Sequence, residues 1–298
     1  MSEDLSLQPL VSIVMPSYNH ANFIKSAVSS VLEQTFLDWE LIIIDNYSTD
    51  ETKDILNQFH DERIRILYIR NEGSIAKSRN LGVASAKAEW IAFLDSDDSW
   101  KADKLEKVSF FLNSENDLIY HHLSLIQELP GVSSQQHIHS RKLKSPILKD
   151  LILRGNTIAT SSVVVRKKIF LEVGGMNEST EVIGIEDYNT WLRISCKSEK
   201  FTLVPLYLGS YRVHSTNLSS SDLFKPPIAA ISEFLPLLTP SEIRKLESNF
   251  KYLKLRTEYL KSSHKGIRPD LFRALARGSF LQKLKIFWML VSILIRFK

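Results

Sequence analysis

The stretch Ile91-Ala92-Phe93-Leu94-Asp95-Ser96-Asp97-Asp98-Ser99-Trp100, IAFLDSDDSW, drives four apolar residues straight into three carboxylates within four positions. A short apolar run with this boundary reads as a buried strand ending at Asp95. Carboxylates this close repel, and each raises the cost of ionising the next, so a positive partner is expected beside them. Their hard oxygens suit Mg²⁺ or Mn²⁺, ions that keep several waters and share themselves with phosphates. Two other readings stay open from these residues alone. The acids could cap a helix over SWKADKLEKV, because negative charge favours a helix N-terminus. They could also begin a calcium loop, with Asp95, Asp97, Ser99 and Glu106 as ligands, but Trp100 stands where that loop needs glycine.

Outward from this strand the pattern alternates. LVSIVM (10–15) predicts a buried strand closed by Pro16, and NFIKSAVSSVLEQ a helix capped by Asn22, with Phe23, Ala27 and Val31 at helical spacing. ELIIID (40–45) predicts a second strand. STDETKDILNQF follows as a helix capped by Ser48 or Thr49, with Ile55, Leu56 and Phe59 inward. IRILYI (64–69), the helix IAKSRNLGVASA and WIAFLD (90–95) complete the series. Strands alternating with helices give an α/β fold with a mostly parallel central sheet. Ligands of such sheets sit beyond the carboxyl ends of the strands, so Asp45 and Asp95 should face one crevice. After residue 105 the alternation fades. KLEKVSFFLN predicts a helix, DLIYHHLSLI a strand, 128–146 a long mobile loop, and IATSSVVVRK a strand. EDYNTWLRISC predicts a helix with Trp191 and Ile194 inward, 215–227 a boundary, and 228–298 mostly helix.

The 298 residues, 44% hydrophobic and 24% charged, describe an ordinary globular chain. A single cysteine, Cys196, allows no internal disulfide and no thiolate metal cage. The polar start MSEDLSLQPL has no leader pattern, and no apolar run reaches the roughly 20 residues of a membrane span. A cytoplasmic protein is expected. The net charge of +4 is uneven: residues 251–298 hold 12 Lys or Arg against Glu258 and Asp270, or +10, leaving −6 for the rest. Neither G-x-x-x-x-G-K-[ST] nor G-x-G-x-x-G occurs, so a bound nucleotide would need a metal and side chains, with Arg70 and Arg79 placed to help. Lys77 reads as a solvated helix residue.

VSIVMPSYNHANFIKSAVSSVLEQTFLDWELIIIDNYSTDET followed by NEGSIAKSRNLGVASAKAEWIAFLDSDD resembles the family 2 inverting glycosyltransferases of the GT-A fold, over residues 10–215. The resemblance implies single-sugar transfer from a nucleotide diphosphate donor, a UDP-sugar above all, with Mn²⁺ or Mg²⁺ as cofactor. It implies that Pro16, Ser17, Tyr18 and Asn19 form the first nucleotide-binding turn, Tyr18 stacking on the base that Asp45 reads. Arg79 and Asn80 would line the donor pocket. Asp95 and Ser96 would meet the ribose or sugar, Asp97 and His214 the metal, with Asp98 supporting from behind. Asp187 would be the general base and Glu186 its neighbour on the acceptor side. Glu186-Asp187 also reads as an ordinary capped helix start. Two departures stand out: Asp45-Asn46-Tyr47-Ser48 replaces the common Asp-Asp-Gly-Ser, and GGMNES replaces Gly-Gly-Phe-Asp. The Q-x-x-R-W motif of processive synthases is absent.

The expected organisation is a catalytic domain over 1–220, with a nucleotide-binding half at 10–105 and an acceptor half at 106–220, then a basic helical region over 221–298. FLQKLKIFWMLVSILIRFK is too short to span a bilayer, but beside Arg268, Arg273 and Arg277 it could lie on an anionic inner membrane face. A core helix or a dimer helix is the competing reading, so an oligomer is possible. Nucleic acid is not expected, since the body is acidic. The acceptor would be a glycan or a lipid-linked sugar. The competing functions are a nucleotidyltransferase acting on a sugar phosphate, and a sugar-nucleotide binding protein without catalysis.

Overall fold

A computed structural model describes residues 8–127, 136–214 and 228–261. The predicted boundary at 215–227 and the chain beyond Lys261, with its basic apolar stretch, lie outside them. The chain divides into two compact units. One joins the residues up to Leu151 with Asn156–Leu218; the other joins Ile152–Gly155 with the chain from Ser219 onward.

The first unit is built on one nine-stranded sheet. Strands β1 (Val11–Ser17), β2 (Trp39–Asp45), β3 (Ile64–Tyr68) and β4 (Trp90–Phe93) alternate with helices α1 (Ala21–Leu32), α2 (Thr52–Leu56) and α3 (Ile75–Ser85). Next come β5 (Ser99–Trp100), α4 (Lys104–Ser109), β6 (Leu118–Gln127), β7 (Gln136–Ile138) and α5 (Ile147–Arg154). Last come β8 (Val164–Arg166), α6 (Lys167–Glu172), α7 (Glu186–Ser195) and β9 (Phe201–Val213). The strand order is β3-β2-β1-β4-β8-β6-β9-β5, with β7 on β6. The strands β3-β2-β1-β4 are parallel, β8 runs antiparallel to β4 and β6, and β9 runs parallel to β6. The sheet is mixed, with four parallel and four antiparallel strand pairings, and gives the α/β arrangement that the GT-A resemblance implies.

All residues of β1, β2 and β4 are buried, as the unbroken apolar runs require. Helix α3 lies directly on β1 and β2 because Gly82 offers no side chain: a Cβ there would stand 2.5 Å from Val14 Cγ1 and 2.7 Å from Ile44 Cδ1. Pro16 does not end β1 but continues it, paired with Ile44. The β1–β4 pairing stops at Val14, so Pro16 sits where one flank is already an edge and needs no N–H. Asn22 does not cap α1. The helix begins one residue earlier and borrows acceptors from another segment: Asp50 Oδ2 takes the Ala21 N–H (3.0 Å) and Thr52 Oγ1 the His20 N–H (3.0 Å). Helix α2 is shorter than expected because Ser48 and Thr49 are held by Asp45 and Asn19 instead of capping it.

Part of the loop expected at 128–146 is strand β7, whose end is held by Tyr207 Oη against His139 Nδ1 (2.7 Å). The strand expected over IATSSVVVRK begins as a 3₁₀ turn at Thr160–Ser162, and only Val164–Arg166 pairs. Trp191 and Ile194 of α7 are buried as expected. In the second unit, α8 (Ile228–Ile231) leads through a 3₁₀ turn into the long helix α9 (Pro240–Lys261). Asn249 Nδ2 of α9 donates to the Leu153 carbonyl (2.7 Å). No helix among the described residues is long and apolar enough to cross a membrane.

Candidate active site

Because β2, β1 and β4 are parallel neighbours, Asp45, Ser17 and Leu94-Asp95 leave the sheet at one edge. Strand β8 runs the other way, so its preceding 3₁₀ turn meets the same edge: Phe93 N–H donates to Val163 O (3.2 Å) and Asp95 N–H to Ser161 Oγ (3.1 Å). Strand β9 pairs with β5 and returns its last residues over the acids. Gly209 permits that pairing, since a Cβ there would stand 2.9 Å from Ser99 O.

On the side expected to hold the donor, the 16–20 and 45–50 turns are tied together. Asn19 N–H donates to Ser48 Oγ (2.9 Å), and Asn19 Oδ1 accepts from Thr49 N–H (2.8 Å). Asn19 (φ 52°) and Tyr47 (φ 51°) both take the left-handed conformation these turns demand. Asp45 is 1% exposed, and its two oxygens accept from Ser48 N–H (2.8 Å) and Ser48 Oγ (2.6 Å). It holds the turn, while the side chains that stand open beside it are Tyr18, 51% exposed, and Tyr47, 52% exposed. Tyr47 lies 5.7 Å from the Tyr68 ring, with the Arg70 guanidinium 5.3 Å from its centroid. Among the described residues Ser17 Oγ, buried beside Pro16, has no hydrogen-bond partner.

The acids occupy distinct environments. Ser96 Oγ pairs with His20 Nδ1 (2.6 Å), and Asp97 Oδ2 with His214 Nε2 (3.0 Å). His214 stacks on Phe23 at 4.5 Å, and His20 meets that ring edge-on. Asp98 is buried, accepting from Ser161 Oγ (2.5 Å) and Arg212 N–H (2.9 Å). Burial first, and then its acidic neighbours, push the Asp98 carboxyl well above the ordinary range; burial and Asp95 raise Asp97.

Arg79, 3% exposed, bridges the two sides. Its Nη2 donates to Asp95 Oδ1 (2.6 Å) and its Nη1 to Glu186 Oε1 (2.8 Å). Burial works against the guanidinium charge, but Asp95 and Glu186 outweigh it, so its pKa is raised. Glu186 Oε2 also accepts the Gly184 N–H (2.7 Å). Asp187 is partly buried at the start of α7. Its Oδ1 takes the Tyr188 N–H (2.6 Å) and its Oδ2 the Thr160 hydroxyl (3.0 Å). Burial, then the Glu186 charge, push the Asp187 carboxyl up to about 6.

Asn80 lies on α3, one residue past Arg79. It reaches the segment after α6, donating to Met176 O (2.8 Å) and Glu178 Oε1 (2.8 Å) and accepting the Met176 N–H (2.8 Å). The structure thus brings Arg79, Asp95, Glu186 and Asp187 together and sets Asp97 with His214, while Asp45 and Asn80 act through turns. His20, Thr160 and Ser161 also belong to the site, although neither motif nor spacing marks them. Among the described residues no three His, Cys, Asp or Glu side chains gather as a complete metal shell. Asp97 and His214 offer one hard carboxylate oxygen and one ring nitrogen side by side, a donor set that a cation could take only by filling its remaining places with phosphate oxygens and water.

The sequence model described as "Glycosyl transferase family 2" matches residues 12–174, over half of the chain. The chain belongs to glycosyl transferase family 2. This family 2 transferase is 33% identical over 217 residues to the putative teichuronic acid biosynthesis glycosyltransferase TuaG of Bacillus subtilis, covering 72% of this chain and 83% of TuaG. It is 32% identical over 217 residues to WfgD of Escherichia coli, a UDP-Glc:α-D-GlcNAc-diphosphoundecaprenol β-1,3-glucosyltransferase, covering 71% and 80%. Among solved structures it superposes on S. aureus TarS in complex with UDP-GlcNAc at a TM-score of 0.64 and 18% identity, covering 89% of this chain and 79% of that one. A mannosyltransferase from Pyrobaculum calidifontis in complex with GDP-Man and Mn²⁺ gives 0.61 at 16% identity, covering 96% and 81%. Family membership makes the enzyme a glycosyltransferase, in place of the nucleotidyltransferase or the bare binding protein.

Proposed function

We propose that this family 2 transferase moves one sugar from a UDP-sugar to a lipid-linked sugar, with inversion at the anomeric carbon. The observation that carries the reading is the Arg79 bridge. It fastens the donor-side acid Asp95 to the Glu186-Asp187 pair, so a sugar held at one would present its anomeric carbon to the other. Asp187 takes the proton of the acceptor hydroxyl. The freed oxygen attacks the anomeric carbon from the face opposite the diphosphate, whose bond breaks and leaves its electron pair on the nucleotide. A pKa near 6 leaves Asp187 deprotonated at neutral pH yet basic enough for the task. Mn²⁺ or Mg²⁺ held by Asp97 and His214 would neutralise charge on the leaving diphosphate. The base is proposed to rest against Tyr18, with Tyr47 and Arg70 beside it.

The relatives named above support the acceptor class, since WfgD by its name acts on a diphosphoundecaprenol-linked sugar. The catalytic region is proposed to end near residue 220, with residues 106–220 facing the acceptor. The +10 charge of residues 251–298 would hold the enzyme on the anionic inner face of the membrane.

Thermal unfolding with UDP and UDP-sugars, in Mn²⁺ or in EDTA, tests the donor and the metal together. At a hundredfold excess over Kd a ligand adds about 2.7 kcal/mol of stability, so the melting point should rise in Mn²⁺. An equal rise in EDTA removes the metal from the reading. No rise with any nucleotide removes the donor.

A further inference from the structure

The 3₁₀ turn at Thr160–Ser162 holds both sides of the site with adjacent residues. It is closed upon itself: Ser162 gives its N–H (2.9 Å) and Oγ (2.7 Å) to Ala159 O, and Val163 gives its N–H to Thr160 O (3.0 Å). Trp100 Nε1 clamps it from outside, donating to Ser161 O (2.8 Å). Ser161 Oγ then serves the donor side, donating to Asp98 Oδ2 and accepting the Asp95 N–H. Thr160 Oγ1 serves the acceptor side, donating to Asp187 Oδ2 at 3.0 Å. Consecutive Cα atoms lie about 3.8 Å apart and cannot drift, so one peptide links the two sides at a fixed spacing.

We propose that Thr160 is a positioning residue for Asp187: its hydroxyl fixes the carboxylate's rotation and its distance from the donor-side acids. The inference rests on the reading of Asp187 as the base. With Oδ1 on the Tyr188 N–H and Oδ2 on Thr160, the carboxylate cannot spin, and Oδ2 keeps a lone pair for the acceptor proton. The same hydroxyl stabilises the ionised form, and together with Arg79 and the Tyr188 N–H it opposes the rise caused by burial and Glu186. A residue that only docked α7 would supply packing and leave the titration of Asp187 alone.

The test compares Thr160→Val, which keeps the shape and removes the hydroxyl, with Thr160→Ser, which keeps the hydroxyl. Thr160→Ala replaces the valine variant if valine fails to fold. In the full chain labelled with ¹³C at aspartate carboxyls, the Asp187 signal is assigned by its loss in Asp187→Asn. The valine variant should titrate Asp187 at higher pH than the parent, and the serine variant should restore it. With the UDP-sugar returned by the melting screen and a lipid-diphosphate sugar acceptor, kcat in the valine variant should fall on the order of 10- to 100-fold. The donor KM should stay within about twofold, and serine should recover the rate. Parental titration in the valine variant overturns the inference, and so does a loss of rate shared equally by serine. Full turnover in Asp187→Asn sinks the base reading instead, so the two failures are told apart.

Discussion

A guanidinium that is 3% exposed and donates to Asp95 and Glu186 at once cannot be exchanged for an ammonium. The planar fork reaches both carboxylates in fixed directions, whereas lysine brings one point charge to one of them. Arg79→Met should cost about 3–5 kcal/mol, because it strands two acids, one of them buried, without their cation. Urea unfolding midpoints of the parent and the variant measure this, and a loss below 1 kcal/mol would mean the bridge is weak. The neighbouring carboxylate of Asp187 sets a pH dependence with a definite sign. A base works only when deprotonated, and its pKa is raised to about 6, so kcat/KM should hold at neutral pH and fall as pH drops through about 6. A rate profile flat down to pH 5 would remove Asp187 from the proton transfer.

The turn after α6 shows how one element is fixed by a residue from another. Gly175 has φ 71°, and a Cβ on it would stand 2.7 Å from Asn80 Oδ1, the oxygen that accepts the Met176 N–H. Gly175→Ala should therefore cost about 1–3 kcal/mol through the backbone, plus a steric penalty against Asn80. In an Asn80→Ala background only the first part should remain, so the double-mutant cycle should show coupling. Additive losses would contradict the contact. What the sequence discloses follows the same division. Strands β1 to β4 and helices α1 and α3 are local patterns, each legible as an apolar run or a helical stripe. Strand β9 is not, because Pro205 and Gly209 interrupt it and its pairing with β6 shifts register at His121 and His122. Asp95, Asp97, Glu186 and Asp187 stand out as clustered acids. Thr160, Ser161 and His20 do not, since each acts through a partner far along the chain and carries no local charge pattern. Ser48 looks like a helix cap in sequence and becomes a turn anchor only because Asp45 is packed beside it.

The stability of the whole molecule is coupled to pH through one buried lysine outside the proposed chemistry. Lys104 is 0% exposed, its Nζ lies 3.0 Å from the Trp100 ring centroid, and that nitrogen makes no hydrogen bond among the described residues. Burial pushes its pKa well below 10.5, and burial together with Lys104 pushes the buried His121 down as well. The unfolded chain therefore binds a proton at Lys104 that the folded chain resists. By linkage, stability is fullest above the unfolded pKa and is lost as pH falls from there toward the depressed folded pKa, below which the loss saturates. His121 adds a loss of the same sign below 6.5. Methionine has nearly the length of lysine and no amine to desolvate, so Lys104→Met should stabilise the protein by about 1–3 kcal/mol at neutral pH. That gain should shrink as pH rises toward 10.5, where the parent no longer carries the penalty. Urea unfolding of both proteins at pH 7 and pH 10 separates this from simple packing, which would give the same difference at both. A constant difference would reduce the effect to packing, and a methionine variant less stable than the parent at pH 7 would show that the amine is charged and stabilised in the fold by the Trp100 face.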